Sequence, residues 1–278
     1  MQFPEEIITS RQNRYVSECA GLSDRKRRDA SGLFRADGLK LYAEAVLRGV
    51  KIAYVLLREH GGAEVAQTLS KMPGVGGLSA AGRILVVKDS VFDSLTSEKS
   101  PEGIITVGKH IDKIHDFVTI NNNTAFEGEF FVLLESLQDP NNVGTILRTC
   151  AAMGVDRVIL SSDCADLYHP KTLRAAMGPL FSLPCSRVDS IPKAVEALRR
   201  TGHRVFAAAL SDDALSLDSA KLSRGDCVVI GNEGHGLSQE TVSCCDGCLK
   251  IPLESGVESL NASAAAAVLL WNFRCAGH

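Results

Sequence analysis

Nothing in the sequence is long and apolar enough to suggest a membrane span. The longest uncharged run of small and aliphatic residues, Ala264 to Trp271, falls far short of the roughly 20 residues that crossing a bilayer takes. Met1 to Ser10 lacks a basic start followed by an apolar stretch, so no secretion signal is read there and a soluble, cytoplasmic protein is expected. A disulfide framework is missing as well. Nine cysteines, an odd number scattered over 278 residues, read as reduced thiols. Cys244, Cys245 and Cys248 contain one C-x-x-C spacing, but a zinc site needs a second ligand pair, and His235 alone is a poor fourth ligand. They are expected to be small buried residues near a strand, and no metal is expected. The formal net charge is −3, which excludes a protein coated in bases. A dinucleotide fingerprint is absent too, because the Gly-rich stretch Gly74 to Gly82 has Ser79 where G-x-G-x-x-G needs glycine.

What is present divides into two blocks. A length of 278 residues, 45% apolar and 23% charged, suits two globular domains, each with its own core. Residues 1–108 alternate helical and strand patterns. An apolar period near 3.6 runs from Leu39 to Val46; "KIAYVLLRE" reads as a strand, "AEVAQTLSKM" as a helix, "RILVVKDSVFDSLT" as a strand running into a helix, and "EGIITVGKH" as a closing strand. This predicts a small α/β sandwich with Gly74 to Gly82 as a flexible loop. Arg11, Arg14, Arg25, Lys26, Arg27 and Arg28 stand against Glu18 and Asp24, a local charge of +4. Such a patch attracts phosphate backbones, although on charge alone a solvated helix end is the simpler reading. Over residues 109–128 the pattern dissolves into polar sequence with three consecutive Asn, which puts the domain linker there.

From 129 to 278, "EFFVLLESL", "DRVILSS", "GHRVFAAAL" and "GDCVVIGNE" are continuous apolar strands of the kind buried on both faces of a parallel sheet. Helices such as Ser190 to Thr201 separate them. The expected architecture is a three-layer α/β domain whose ligands sit beyond the carboxyl ends of the strands. Three loops lie there. In "LQDPNNVGTILRT", Val143, Ile146, Leu147 and Cys150 form one helical stripe and Asn142 is placed to cap the helix. Arg148, about 600° of rotation further on, falls on the polar side. Taken alone, these two read as a cap and a solvated arginine. In "VVIGNEGHGLS", Gly231, Gly234 and Gly236 allow close backbone approach, Glu233 suits an acid, a base or an acceptor, and His235 reads as an exposed loop histidine. Ser259, Asn261 and Ser263 flank the start of an Ala-rich helix. A cap needs only one side chain, so the surplus suggests a polar binding wall.

In this order, "DPNNVGTILRTCAAMGV", "VVIGNEGHGLS" and "IPLESGVESLNASAAAAVLLW" resemble the three motifs of the SpoU (TrmH-type) branch of the SPOUT RNA 2′-O-ribose methyltransferases. "ITSRQNRYVSE" and "SGLFRADGLKLYAEAV" are similar to the amino-terminal, ribosomal-protein-like substrate-binding domain of this family's ribosomal RNA members. The resemblance therefore covers nearly the whole chain. It implies a parallel sheet whose carboxyl-terminal segment threads a deep trefoil knot, against the usual rule of unknotted connections. S-adenosylmethionine is implied in that knot, held largely by backbone groups, and motif position assigns it to Ala209, Leu210, Gly231, Asn232, Gly236, Ile251 and Leu260. Asn142 and Arg148 match the first motif's Asn and Arg, Glu233 the second motif's acid, and Ser259 and Asn261 the third motif's polar pair. These five are the implied catalytic set. Many relatives have Ser where Ala176 stands, which puts one substrate-side contact in doubt.

The implied reaction is methylation of a ribose 2′-hydroxyl, in large-subunit ribosomal RNA by analogy of the amino-terminal domain. RNA would then meet Arg148 and the bases from Arg11 to Arg28, and the helix from Ala262 to Leu270 would form a homodimer. A guanidinium has a pKa above about 12, so whether Arg148 takes the proton or clamps a phosphate stays open. The alternatives are the same reaction on transfer RNA, a non-catalytic ribosome- or RNA-binding relative, and a Rossmann-type methyltransferase. The intact set of five counts against the binding relative, and the lack of a Gly-rich loop after the first strand of either domain counts against the Rossmann type.

Overall fold

The computed structural model describes residues 4, 6–96, 98, 100–111, 126, 128–211, 213–223, 225–256 and 259–276. The linker expected at 109–128 lies mostly outside them. Two units form, one from Met1–Ile111 with Tyr168–Ser182, the other from Asp112–Leu167 with Leu183–His278.

In the first unit the chain runs β1 (Ile7–Ile8), α1 (Arg14–Gly21), α2 (Arg25–Ser31), β2 (Leu33–Asp37), α3 (Leu39–Leu47), β3 (Ile52–Arg58), α4 (Gly62–Ser70), α5 (Val75–Ala80), β4 (Ile84–Val87), α6 (Asp89–Phe92) and β5 (Ile104–Lys109). The sheet order is β1-β4-β3-β5-β2, with β5 antiparallel to both neighbours. Alternation along β3 sends Tyr54 and Leu56 toward Val16, Cys19 and Phe92 on one face. Val55 and Leu57 meet Tyr42, Leu69 and Val75 on the other. Two buried faces make the expected α/β sandwich. The Gly-rich stretch is not a loop: Val75 and Leu78, one helical turn apart, are both buried, and that contact holds α5 as a helix. Strand β2 was not legible either, because its pairing partner β5 lies some seventy positions away.

The second unit continues with β6 (Phe131–Leu134), α7 (Pro140–Met153), β7 (Arg157–Ser161), α8 (Pro170–Ala176), β8 (Cys185–Val188), α9 (Ile191–Arg200), β9 (Val205–Ala208), β10 (Leu215–Ser216), β11 (Cys227–Ile230), α10 (Gln239–Cys244), β12 (Gly247–Lys250) and α11 (Ala262–Ala276). Of these, α8 belongs to the first unit. There Tyr168 stacks on His110 with ring centroids 4.0 Å apart, and Phe181 packs on Phe34 at 5.7 Å. Sequence reading kept 129–278 continuous; these aromatic contacts draw Tyr168–Ser182 out of it.

The seven-stranded sheet is parallel throughout, in the order β10-β12-β9-β11-β6-β7-β8. Strands β6 and β11 are buried at every position, as continuous apolar runs require. Helix α9 covers one face through Ile191, Val195 and Leu198. On α7 the stripe Val143, Ile146, Leu147 and Cys150 is fully buried, and α11 packs against that helix. Gly154 ends α7 in the left-handed region at φ 76°, the conformation that favours glycine there. Among the described residues, no helix is long and apolar enough to cross a membrane.

Candidate active site

Strands β9, β11 and β12 end side by side, and their carboxyl ends with the following loops enclose a cavity of about 610 Å³. The resemblance assigned Ala209, Leu210, Gly231, Asn232, Gly236, Ile251 and Leu260 to a cofactor, and all seven line this cavity. Glu233 and Ser259 line it too, as do Gln239, Val242, Leu249 and Lys250, which sequence reasoning did not single out. Lys250 is the terminal residue of β12, so the strand-end rule applied to that strand would have found it.

The loop after β11 is folded tightly on itself. Asn232 and Gly236 form an antiparallel bridge, with N–H to carbonyl distances of 3.0 and 2.9 Å. A Cβ on Gly231 would stand 2.5 Å from the Gly236 carbonyl carbon and 2.7 Å from the Leu237 nitrogen. Close approach of backbone to backbone, not turn geometry, is what requires glycine at 231. The Asn232 amide then pins the loop: Nδ2 donates to the Ser136 carbonyl at 2.7 Å, and Oδ1 accepts from the Gly234 N–H at 2.8 Å.

At the cavity's rim three side chains from three distant segments form one hydrogen-bonded row. Asn261 Nδ2 donates to Asn142 Oδ1 at 3.2 Å, and Asn142 Nδ2 donates to Glu233 Oε1 at 2.6 Å. Asn142 is not the helix cap. Asp139 takes that place, its carboxylate accepting from the Asn141 N–H at 2.9 Å, with Pro140 in the first turn. Relieved of capping, the buried Asn142 side chain is free to bind Glu233. Asn261 does cap: its Oδ1 accepts from the Ser263 N–H at 2.9 Å. The surplus of polar groups before α11 thus has a purpose, since one end of the Asn261 amide caps α11 and the other joins the row.

Arg148 stands apart. It is exposed on α7, and its hydrogen bonds and ion pairs are nil among the described residues. Six residues of helix carry it about 9 Å along the axis from Asn142 and onto a different face. In the basic stretch Arg11, Arg14, Arg25, Lys26 and Arg27 are exposed. Arg28 corrects the expectation: it is 1% exposed and donates from Nη1 to the Leu22 carbonyl at 2.7 Å, so a phosphate cannot reach it. Ala176 is fully buried in α8.

Cys244, Cys245 and Cys248 are half-buried rather than buried. Burial, with the neighbouring Cys248 and Cys244, pushes the Cys245 thiol up to about 12. Among the described residues a different trio, Glu59, His60 and Asp89, gathers potential ligand atoms. There Asp89 is already engaged by His60 at 2.8 Å and by Arg58 at 3.3 Å.

Comparison with known proteins decides the family. The SpoU rRNA Methylase family matches residues 129–271, and the MRM3-like substrate binding domain matches residues 13–106. The chain belongs to the SpoU methylase family. One full-length relative is the 23S rRNA (guanosine(2553)-2′-O)-methyltransferase RlmP of Bacillus subtilis, 27% identical over 96% of this chain and 98% of that protein. Another is the 23S rRNA (uridine(2479)-2′-O)-methyltransferase of Streptomyces viridochromogenes, 28% identical over 95% and 90%. Among solved structures, an AdoMet-bound rRNA methyltransferase from Sinorhizobium meliloti covers 97% of each chain with a TM-score of 0.80 and 27% identity. The SpoU match spans the cavity and the whole Asn261–Asn142–Glu233 row, and the substrate-binding match takes in most of the basic stretch.

Proposed function

We propose that this SpoU protein transfers the methyl group of S-adenosylmethionine to a ribose 2′-hydroxyl of RNA, in the large-subunit ribosomal RNA. The observation that carries the reading is the cavity at the strand ends with the Asn261–Asn142–Glu233 row at its rim. Full-length relatives named for 23S rRNA ribose methylation support the substrate class, and the AdoMet-bound relative supports the cofactor. The residues present suit that cofactor: glycine at 231 lets the loop fold back on itself beside the cavity, and Leu210, Ala208, Ile230 and Leu260 line it together with polar Asn232, Glu233, Gln239 and Ser259.

When bound, S-adenosylmethionine supplies an electrophilic methyl group on a positively charged sulfur. Ile251, Leu260 and the Gly231 loop would hold and orient it. Asn142 occupies Glu233 Oε1, which leaves Oε2 to hold the ribose hydroxyl and to take its proton as that oxygen gains the methyl group; the sulfur would leave as a neutral thioether. Positioning of this kind supplies much of the rate. Arg148 clamps a phosphate, as its planar fork suits. It would do so in the site of a second copy of the chain, for among the described residues it joins no group of its own rim.

The homodimer belongs to this proposal. Ala264, Val268, Trp271 and Cys275 fall at helical spacing on the exposed side of α11, with Trp271 57% exposed; a solvent-facing apolar stripe on a helix suits an interface. The knotted path is also proposed, supported by β11 lying between β9 and β6 and by the return of α11 to α7.

The test is transfer of tritium from labelled S-adenosylmethionine into purified ribosomal RNA lacking the modification, followed by mapping of ribose methylation. One methylated ribose in 23S rRNA is expected. Label on transfer RNA alone moves the substrate, and no label on any RNA, with cofactor bound, leaves the non-catalytic relative.

A further inference from the structure

The carboxylate of Glu135 lies outside the cavity lining and the polar rim, yet it is almost wholly buried. It directly follows β6, and its backbone N–H donates to the Ile230 carbonyl at 2.9 Å, the point where the chain enters the Gly231–Leu237 loop. Its side chain takes hold of the same loop at the exit. Ser238 donates from Oγ to Oε1 at 2.9 Å and from its N–H to Oε2 at 3.1 Å, and Thr241 Oγ1 donates to Oε1 at 2.7 Å. The next residue, Ser136, grips the middle through its carbonyl, which accepts from Asn232 Nδ2. Ser136 does so at φ 56°, a left-handed conformation that a non-glycine residue adopts only when its surroundings demand it.

We infer that Glu135 and Ser136 act as a positioning clamp, fixing the cofactor loop at its entrance, its middle and its exit so that Glu233 reaches Asn142 and the cavity keeps its shape. The inference rests on the proposed cofactor reading for its functional consequence. Its geometry is independent of that reading. A buried carboxylate satisfied by neutral donors alone is costly unless every donor is held in place, so the same interaction that solvates Glu135 orders the loop. Ser238, which begins α10, links this order to Gln239 and Val242 on the cavity wall.

Glu135→Gln tests it. The substituted amide keeps one acceptor oxygen where the carboxylate had two: in one orientation its N–H meets the Ser238 N–H donor against donor, and flipped it makes the Ser238 and Thr241 hydroxyls accept rather than donate, so either way the loop exit is loosened. S-adenosylmethionine affinity by calorimetry is expected to weaken at least about tenfold. RNA affinity should stay within about twofold, and amide exchange at Asn232 and Gly236 should quicken by at least about tenfold while the sheet amides hold. Glu135→Asp, one methylene short, should not rescue the affinity. If Glu135→Gln does not fold, Thr241→Val removes one donor from the same carboxylate and is expected to weaken cofactor affinity about threefold. Wild-type cofactor affinity and loop exchange in the folded variant overturn the clamp, and so does quickened exchange spread evenly across the unit. A wild-type protein that binds no S-adenosylmethionine, with a loop still loosened by Glu135→Gln, sinks the proposed function and supports the clamp.

Discussion

Replacing Gly231 by Ala puts a methyl group where the loop already touches itself. The new Cβ would lie 2.5 Å from the Gly236 carbonyl carbon, against an ordinary contact limit of 3.4 Å, so the backbone must give by about 0.9 Å. What gives is the Asn232–Gly236 bridge, whose two hydrogen bonds are worth about 1 kcal/mol each. Overpacking of this size costs about 1–3 kcal/mol. In the free protein the loop can swing outward and recover part of that cost, but the cost returns when the loop closes on a ligand. The expected result is S-adenosylmethionine affinity weaker by about fivefold to a hundredfold. Melting should fall by no more than a few degrees, at about 2–4 °C per kcal/mol for a unit of this size. Gly236→Ala is the control. Its φ is +68° with open space around the site, so it carries backbone strain of about 1–2 kcal/mol without the collision. Calorimetric titration of both variants decides. A Gly231→Ala protein with wild-type affinity and melting temperature would refute the reasoning.

Four further outcomes are expected. Arg148→Ala should lower single-turnover methyl transfer at least about a hundredfold while changing stability by less than about 0.5 kcal/mol, and Arg148→Lys should not restore the rate; a rate within a few-fold of wild type returns Arg148 to a solvated helix residue. Changing Arg25, Lys26 and Arg27 together to Ala should weaken RNA binding and flatten its salt dependence without touching cofactor affinity. Arg28→Ala should instead lower the melting temperature, because it removes a buried charged donor from the Leu22 carbonyl. Light scattering at micromolar concentration should give twice the chain mass, and Trp271→Asp should halve it; a wild-type mass near 29.7 kDa counts against the dimer.

Much of the second unit was legible in the sequence, because its signals are local. Continuous apolar runs announced β6, β7, β9 and β11, and one stripe on α7 announced its buried face. Each depends on residues within a few positions, where period and turn chemistry decide. The loops around the cavity were legible for a related reason, since the rule that ligands sit beyond the carboxyl ends of parallel strands needs only the strand ends; the cofactor residues themselves came from the family resemblance.

Tertiary structure decided which of two competent groups does which task. Asp139 and Asn142 are both good helix caps; Asp139 caps, and Asn142, with the rim within reach, binds Glu233 from 91 positions away and receives Asn261 from 119. The count of basic residues from Arg11 to Arg28 could not reveal that one of them faces the interior, since burial depends on where Leu22 places its carbonyl. Packing made a helix of Val75–Ala80 and gathered Tyr168–Ser182 into the first unit. In each case the deciding contact joins residues distant in the chain, and the free energy of burying an apolar side chain or satisfying a buried polar one is set by that contact, which local periodicity does not encode.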